Sequence, residues 1–545
     1  MRRRLIRPAL AAAALAVAAA GCREAPEPAA REPAPPATVV PAAVPEPLLP
    51  PGSPFHGVHG LRFGPDGALY AASVIGQSIF RVDLGSGALE RVVAPPEGMA
   101  DDIAFAPDGT MVWTAIEDGV VYARSPGGPV RRLVDGMRGV NAVSFSPDGR
   151  LFVTLVFYGD ALYELDLAGS LAPRLVAENL GGLNAFDIGD DGMIYGPLLF
   201  GGRVVRVDPD SGAIATLSDE FERPGALKLD RSGNAYVLDG AALKRVALAS
   251  GATSVVAELP FEADNLAFDP DGRLYVSMAQ PNAIAEVDLG DGSLRYVAGP
   301  TPLNSPSGLA ALEQPNGDVL YVGDLFGGLR IVASPFGTVT ETPVELFQPT
   351  HVSLRGERVL VTSEVFGVVQ RLDRATYDVL EEWDGFERPA DAIETPDGEV
   401  IVAETGTGRV LAIGPDGTRR VVAMGLDRPT GLAWAGSARV YVTESGGGRL
   451  LALTLATGET VIEAADLAQP EGVAVARSGE VYVVEVGARR IRRLAPRDGT
   501  VATVAEDLPI GLANGPSLFR GIALGGSTLY FSSDVDNTLY RLALQ

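Results

Sequence analysis

The chain has 545 residues, with 69 Asp and Glu against 44 Lys and Arg and a formal net charge of −25. Its only lysines, Lys228 and Lys244, follow no Gly-rich loop, which excludes a Walker-type phosphate cradle, and without a basic patch no nucleic-acid partner is expected. A single cysteine, Cys22, and three histidines, His56, His59 and His351, exclude an intramolecular disulfide, a Cys-based metal site and a histidine-rich zinc centre. The surplus of acid favours cationic partners, or simply keeps a surface protein soluble.

The first element in chain order is a leader. Arg2, Arg3, Arg4 and Arg7 form a positive n-region, and Pro8 to Ala20 is an apolar run too short to span a bilayer. Residues 1–21 therefore read as a signal peptide. Its end, Ala19-Ala20-Gly21-Cys22, resembles a bacterial lipobox, with Ala19 where Leu is usual. The resemblance implies lipidation at Cys22, membrane contact through that anchor alone, and a place in the cell envelope. Arg23 stands where a retention signal would show Asp, which favours an outer-membrane lipoprotein facing the periplasm or the surface; a plain secretory signal is the alternative. Residues 22–54 are rich in Pro, Ala and Glu and read as an extended tether. Its Val39, Val40 and Val44 are able to add an edge strand.

Twelve copies of one hairpin follow, as in "LRFGPDGALYAA", "VSFSPDGRLFVT" and "LAFDPDGRLYVS". They open at His59, Asp101, Asn141, Asn184, Gly225, Asp264, Ser307, Thr350, Ala390, Thr430, Glu471 and Arg520, mostly 39 to 43 residues apart. Each copy but the last carries four strand signals and almost no helical period, which is the pattern of a propeller blade. The fold class is all-β, with two tandem six-bladed propellers: 55–304 and 305–545, meeting at the Pro-rich Gly299 to Gly308. The second strand ends on an acid in copies seven to twelve (Asp324, Glu364, Glu404, Glu444, Glu485, Asp534), but among the first six only at Asp239. That contrast argues for six plus six over the rival seven plus five. The last copy lacks a fourth strand, so either the tether supplies it or the blade has three.

The copies resemble the NHL and SMP-30/gluconolactonase superfamily of six-bladed propellers, most clearly in "NLAFDPDGRLYVS" and "GVAVARSGEVYVVEVGARRIRRL". The resemblance covers Phe55 to Gln545. It implies a ligand site at a propeller mouth, and its enzymes hold a divalent metal there through Glu, Asn and Asp from different blades. Asn141 and Asn184 match the Asn positions, whereas His59 stands for the Glu and Gly225 for the Asp.

Independently of that resemblance, the opening residue of each hairpin and the end of its second strand should share one channel mouth. The first mouth then gathers His59, Asp101, Asn141, Asn184, Gly225 and Asp264, flanked by Asp102 and Asn265. Such oxygen ligands suit calcium or magnesium, and Asp101, Asn141, Asn184 and Asp264 are the candidate metal ligands. The same residue types also begin strands for purely local reasons, by accepting loop N–H groups. Two functions stay open. One is binding of a protein or small-molecule ligand, with His59, Asp102, Asn265, Glu471, Glu485 and Arg520 as candidate contacts. The other is a metal-dependent lactonase, in which Asp264 or Asp101 is the general base. In the second mouth Glu471 should face Glu485, with Arg520 as the cation between blades. Arg409 and Arg449, five residues after Glu404 and Glu444, should form surface ion pairs, and the recurring Glu-Arg-Pro and Asp-Arg-Pro linkers read as inter-blade clasps.

Overall fold

Pro-Asp-Gly makes a tight reversal for a local reason. In Asp269-Pro270-Asp271-Gly272, one oxygen of Asp269 accepts the N–H groups of Asp271 (2.9 Å) and Arg273 (2.8 Å), and Gly272 takes φ 83°. Only glycine adopts that backbone without strain. Strands then alternate faces, so each hairpin offers one apolar face to either neighbour.

A computed structural model describes residues 43–545 apart from 345, 347, 437, 496–499, 517 and 545. The expected signal peptide, Cys22, Val39 and Val40 lie outside the described residues. What is described forms twelve four-stranded antiparallel sheets, one per repeat. In blade 1 the strands are Val58–Phe63, Leu69–Ser73, Ser78–Val82 and Leu89–Val93, the first being innermost. The sheets close into two rings of six. Blade 6 packs on blade 1 through Tyr275, Ile284, Leu61 and Phe80, and the Ser277 hydroxyl donates to the His59 carbonyl (2.5 Å). Blade 12 packs on blade 7 through Tyr530, Leu539, Leu309 and Leu320, and the Ser532 hydroxyl donates to the Ser307 carbonyl (2.6 Å). Seven plus five is thereby excluded.

The tether completes the last blade. Glu46–Pro47 pairs antiparallel with Tyr540 and Arg541, so the fourth strand comes from just beyond the expected valines, and Val44 itself is exposed. A proline is tolerated there because the strand is at an edge. The chain next threads between the propellers. Asn537 donates to the carbonyls of Ser53 (2.6 Å) and Phe55 (2.5 Å), and accepts the N–H of Ser305 (2.7 Å). His56 Nδ1 and the Ser305 hydroxyl share a hydrogen bond (2.9 Å) across the join.

Burial, helped by Arg91, pushes His56 down from its ordinary 6.5 to about 4. The unfolded chain takes up this proton before the folded one, so the linked stability is complete above pH 6.5 and is lost as pH falls through about 4. The shift corresponds to about 3 kcal/mol at most. Melting temperatures of wild type and His56→Asn should therefore diverge least at low pH. Parallel profiles between neutral pH and about 4 would refute the assignment.

Blade 4 departs from the pattern. Its innermost strand is reduced to Asp187–Ile188. Pro197 in the second strand has no N–H to give, so the ladder breaks there, and only its carbonyl is used, by the Asn184 N–H (3.1 Å).

The strand-end acids do not all occupy one position. Asp239, Asp324, Glu404, Glu444 and Glu485 share one register, each paired with a linker proline: Pro224, Pro306, Pro389, Pro429 and Pro470. In blades 8 and 12 that register is near Ser363 and Ser533, and Glu364 and Asp534 lie one residue on. The expected surface pairs are not at the surface. Glu404, Glu444 and Glu485 are fully buried, though Arg409, Arg449 and Arg490 do reach them. Each carboxylate also accepts a linker N–H, from Glu387 (2.7 Å), Asp427 (2.9 Å) and Ala468 (2.9 Å) respectively. This holds the left-handed turn of Arg388, Arg428 and Gln469 just before each proline. The clasp is thus a buried carboxylate that ties one blade to the next, and the Asp239 carboxylate does the same for the N–H groups of Glu222 and Arg223.

Candidate functional site

The six residues that open the hairpins of the first ring, each at or near the start of an innermost strand, must converge if the ring is regular, and five of them do. His59, Asp101, Asn141, Asn184 and Asp264 line one cavity of about 370 Å³, together with Asp102 and Asn265. Gly225 is not part of its wall. Beneath the rim, Asp102 acts as a brace. Its carboxylate accepts the Val143 N–H (3.1 Å) from the next blade and the Asn265 amide (3.2 Å) from across the channel. Burial raises the Asp102 carboxyl above its ordinary value, opposed by Lys228 and by the Val143 N–H.

The rim is organised by His59. Its Nδ1 lies 3.4 Å from Asp264 and 3.7 Å from Asp101. Burial alone would lower the imidazole, but Asp264 and then Asp101 outweigh it and hold His59 above its usual range. Burial pushes the Asp101 carboxyl up, and neighbouring Asp264, Asp102 and Glu117 add to the rise against His59. The imidazolium is therefore a clamp between two acids, not a free base.

Two amides remain available. Asn141 is 6% exposed and faces the cavity, and its side chain has no hydrogen-bond partner among the described residues. The Asn184 Oδ1 is buried and equally unpaired. Buried polar groups normally find partners, so the Asn184 oxygen, with Asn141 beside it in the wall, marks a place where a ligand would complete the set.

Further lining residues were not read from the sequence: Ile75, Glu117, Phe157, Tyr158, Phe326 and Gln348. Phe326 and Gln348 come from the second propeller, and Phe326 lies 6.3 Å from the His59 ring. A periodic signal did exist. Ile75, Glu117 and Phe157 each sit two residues past the end of a second strand, and so on the same mouth as the opening residue.

The second mouth is built differently. Arg520, buried, donates to Glu471 (2.5 Å) and to Glu364 (2.9 Å). Arg388 also reaches Glu364 (2.6 Å), and the Gln469 amide donates to Glu471 (2.8 Å). Glu485 does not face Glu471. It belongs to the clasp, with Arg490 (2.8 Å) and Arg492 (3.3 Å). Below, His351 Nδ1 lies 2.7 Å from Asp391, whose other oxygen accepts the Leu432 N–H (2.7 Å). Acids and bases neutralise one another here, whereas the first mouth carries four carboxylates and one imidazole.

No family model matches the chain, and no curated protein does. Its structural neighbours are gluconolactonase-like and related β-propeller proteins. A gluconolactonase from Xanthomonas campestris is 15% identical, covering 46% of this chain and 96% of that one, with a TM-score of 0.38. A virginiamycin B lyase from Staphylococcus aureus is also 15% identical, over 67% and 96%, with a TM-score of 0.30. The GH74 enzyme of Niastella koreensis is 14% identical, over 90% and 91%, with a TM-score of 0.45. These likenesses carry no argument about chemistry, which rests on the residues alone.

Proposed function

We propose that the chain is a ligand-binding protein of the bacterial envelope, anchored through Cys22, whose site is the mouth of the first propeller. The observation that carries the site is the buried, unpaired Oδ1 of Asn184, set beside Asn141, Asp101 and Asp264 in a cavity of about 370 Å³. Small-molecule sites have this size and this mix of apolar wall and few polar groups. Anchoring rests on the leader sequence ending at Cys22.

The lactonase reading draws on the same amides but meets an obstacle. Among the described residues no three His, Cys, Asp or Glu side chains are grouped to hold a metal ion. His59 stands between the two carboxylates that the ion would need. The residues present do not fit a divalent metal, and the positive charge of the imidazolium takes its place.

The test is calorimetric and enzymatic together. Calcium, magnesium or chelator should leave the melting temperature of the purified protein unchanged, and a lactone panel should not be turned over. A metal-dependent rise that Asn184→Ala abolishes would restore the hydrolase. The binding site itself is checked with a panel of small polar compounds. Any that stabilises the protein should lose its effect in Asn141→Leu, and retention of the effect would move the site elsewhere.

A further inference from the structure

Resting on that reading, we infer that the first mouth takes a compact organic cation, an ammonium compound rather than a neutral or anionic one. Four carboxylates reach the cavity wall, Asp101, Asp102, Glu117 and Asp264, and no lysine or arginine does. Burial favours the neutral forms of Asp101 and Asp102, and His59 offsets Asp264, so the exposed Glu117, which has no ion pair among the described residues, is the acid left over. The unpaired Oδ1 of Asn184 asks for a donor, and the unpaired amide of Asn141 can accept one. An ammonium group brings donors and positive charge together.

The rest of the wall points to an organic cation and not a bare ion. Phe157, Tyr158 and Phe326 converge on the cavity from both propellers, and its volume exceeds what an ion needs. Aromatic faces attract cations through the ring quadrupole, most strongly when water is partly excluded. One ring already does so: the Arg138 guanidinium lies 4.2 Å from the centre of Tyr158, and Arg138 is not part of the lining. At longer range the net charge of −25 draws cations towards the molecule.

The experiment compares choline with 3,3-dimethylbutan-1-ol, which has the same shape without the charge, and adds butane-1,4-diamine and acetate. Affinities are measured by titration calorimetry at low and high salt on the full mature chain. We expect at least one of the two cations to bind at least tenfold more tightly than the alcohol and acetate. That affinity should fall at least tenfold in Asp264→Asn and in Phe326→Ala, with unchanged circular dichroism, and should weaken with salt. If the neutral alcohol or acetate binds as well as the cations, and Asn141→Leu abolishes it, the site stands but the cation inference falls. If neither cation binds at millimolar concentration, the inference also falls. Cation binding that survives both Asp264→Asn and Phe326→Ala would place the charge recognition elsewhere and overturn it too.

Discussion

Arg520→Ala is expected to cost the second propeller about 3–5 kcal/mol, the usual penalty for leaving buried charges without their partner. Arg520 is 8% exposed and holds two carboxylates, Glu364 and Glu471, that come from different blades of the ring. Its loss therefore removes two inter-blade ties at once. For a ring of this size the melting temperature of that propeller should drop by about 10 °C. The pH dependence gives a second readout. Burial pushes the Glu364 carboxyl up, but Arg520 and Arg388 outweigh it and hold the group below its ordinary 4.5. In the wild type this is stability present above 4.5 and lost as pH falls through the folded value. In the variant Arg388 alone opposes burial, so the folded state holds protons more readily and acid costs it less. The gap between the two proteins should be widest near neutral pH and should close on acidification. Arg520→Lys should recover only part of the loss, because an ammonium cannot serve two carboxylates with a planar fork. A change below about 2 °C at neutral pH, or a gap independent of pH, would show that the triad is not what joins these blades.

The blade count and the membership of the first mouth were legible because both follow from periodicity. His59, Asp101, Asn141, Asn184 and Asp264 recur at one position of a hairpin whose length the Pro-Asp-Gly turn fixes, and equal hairpins stacked about an axis must bring that position together. Gly225 failed to line the cavity because it has no side chain to extend into it. The strand-end acids were legible as a set but not as a mechanism. Sequence shows Glu404 and Arg409 five apart across a turn; it does not show that the carboxylate lies under the next linker and accepts the Glu387 N–H. One-residue offsets in blades 8 and 12 were hidden for the same reason, since counting from the turn assumes a regular ladder. Phe326 and Gln348 could not be assigned to the first mouth at all. Their contribution depends on how the propellers are set against each other through His56, Asn304, Ser305 and Asn537, and no repeat encodes a contact made once.

A chain beginning at Gly52 should keep the first propeller and lose much of the second. Truncation there removes the Glu46–Pro47 strand, the Leu48 N–H bond to the Leu539 carbonyl (2.8 Å), and the Leu49 carbonyl that accepts the Thr538 hydroxyl (2.9 Å). It also removes two leucines that are 9% and 3% exposed, packed on Leu303, Leu309 and Leu539. Burying two such side chains stabilises by about 3–6 kcal/mol, an upper estimate because the unfolded chain is not fully extended. The strand Thr538–Ala543 would then present a bare edge, a template for pairing with another chain. Calorimetry should resolve an early transition for the second propeller, and hydrogen exchange should accelerate first in residues 522–543. A chain beginning at Ala43 keeps the strand and should melt like the longer protein, which separates the effect of the strand from that of the tether before it. The strand ties positions almost the whole chain apart, as in the Glu46–Arg541 pair (2.9 Å), so the last blade can be completed only when both ends of the chain are present. If the chain from Gly52 melts in one transition at the temperature of the longer chain, with no added aggregation, the N-terminal strand is dispensable and the ring is closed by blade packing alone.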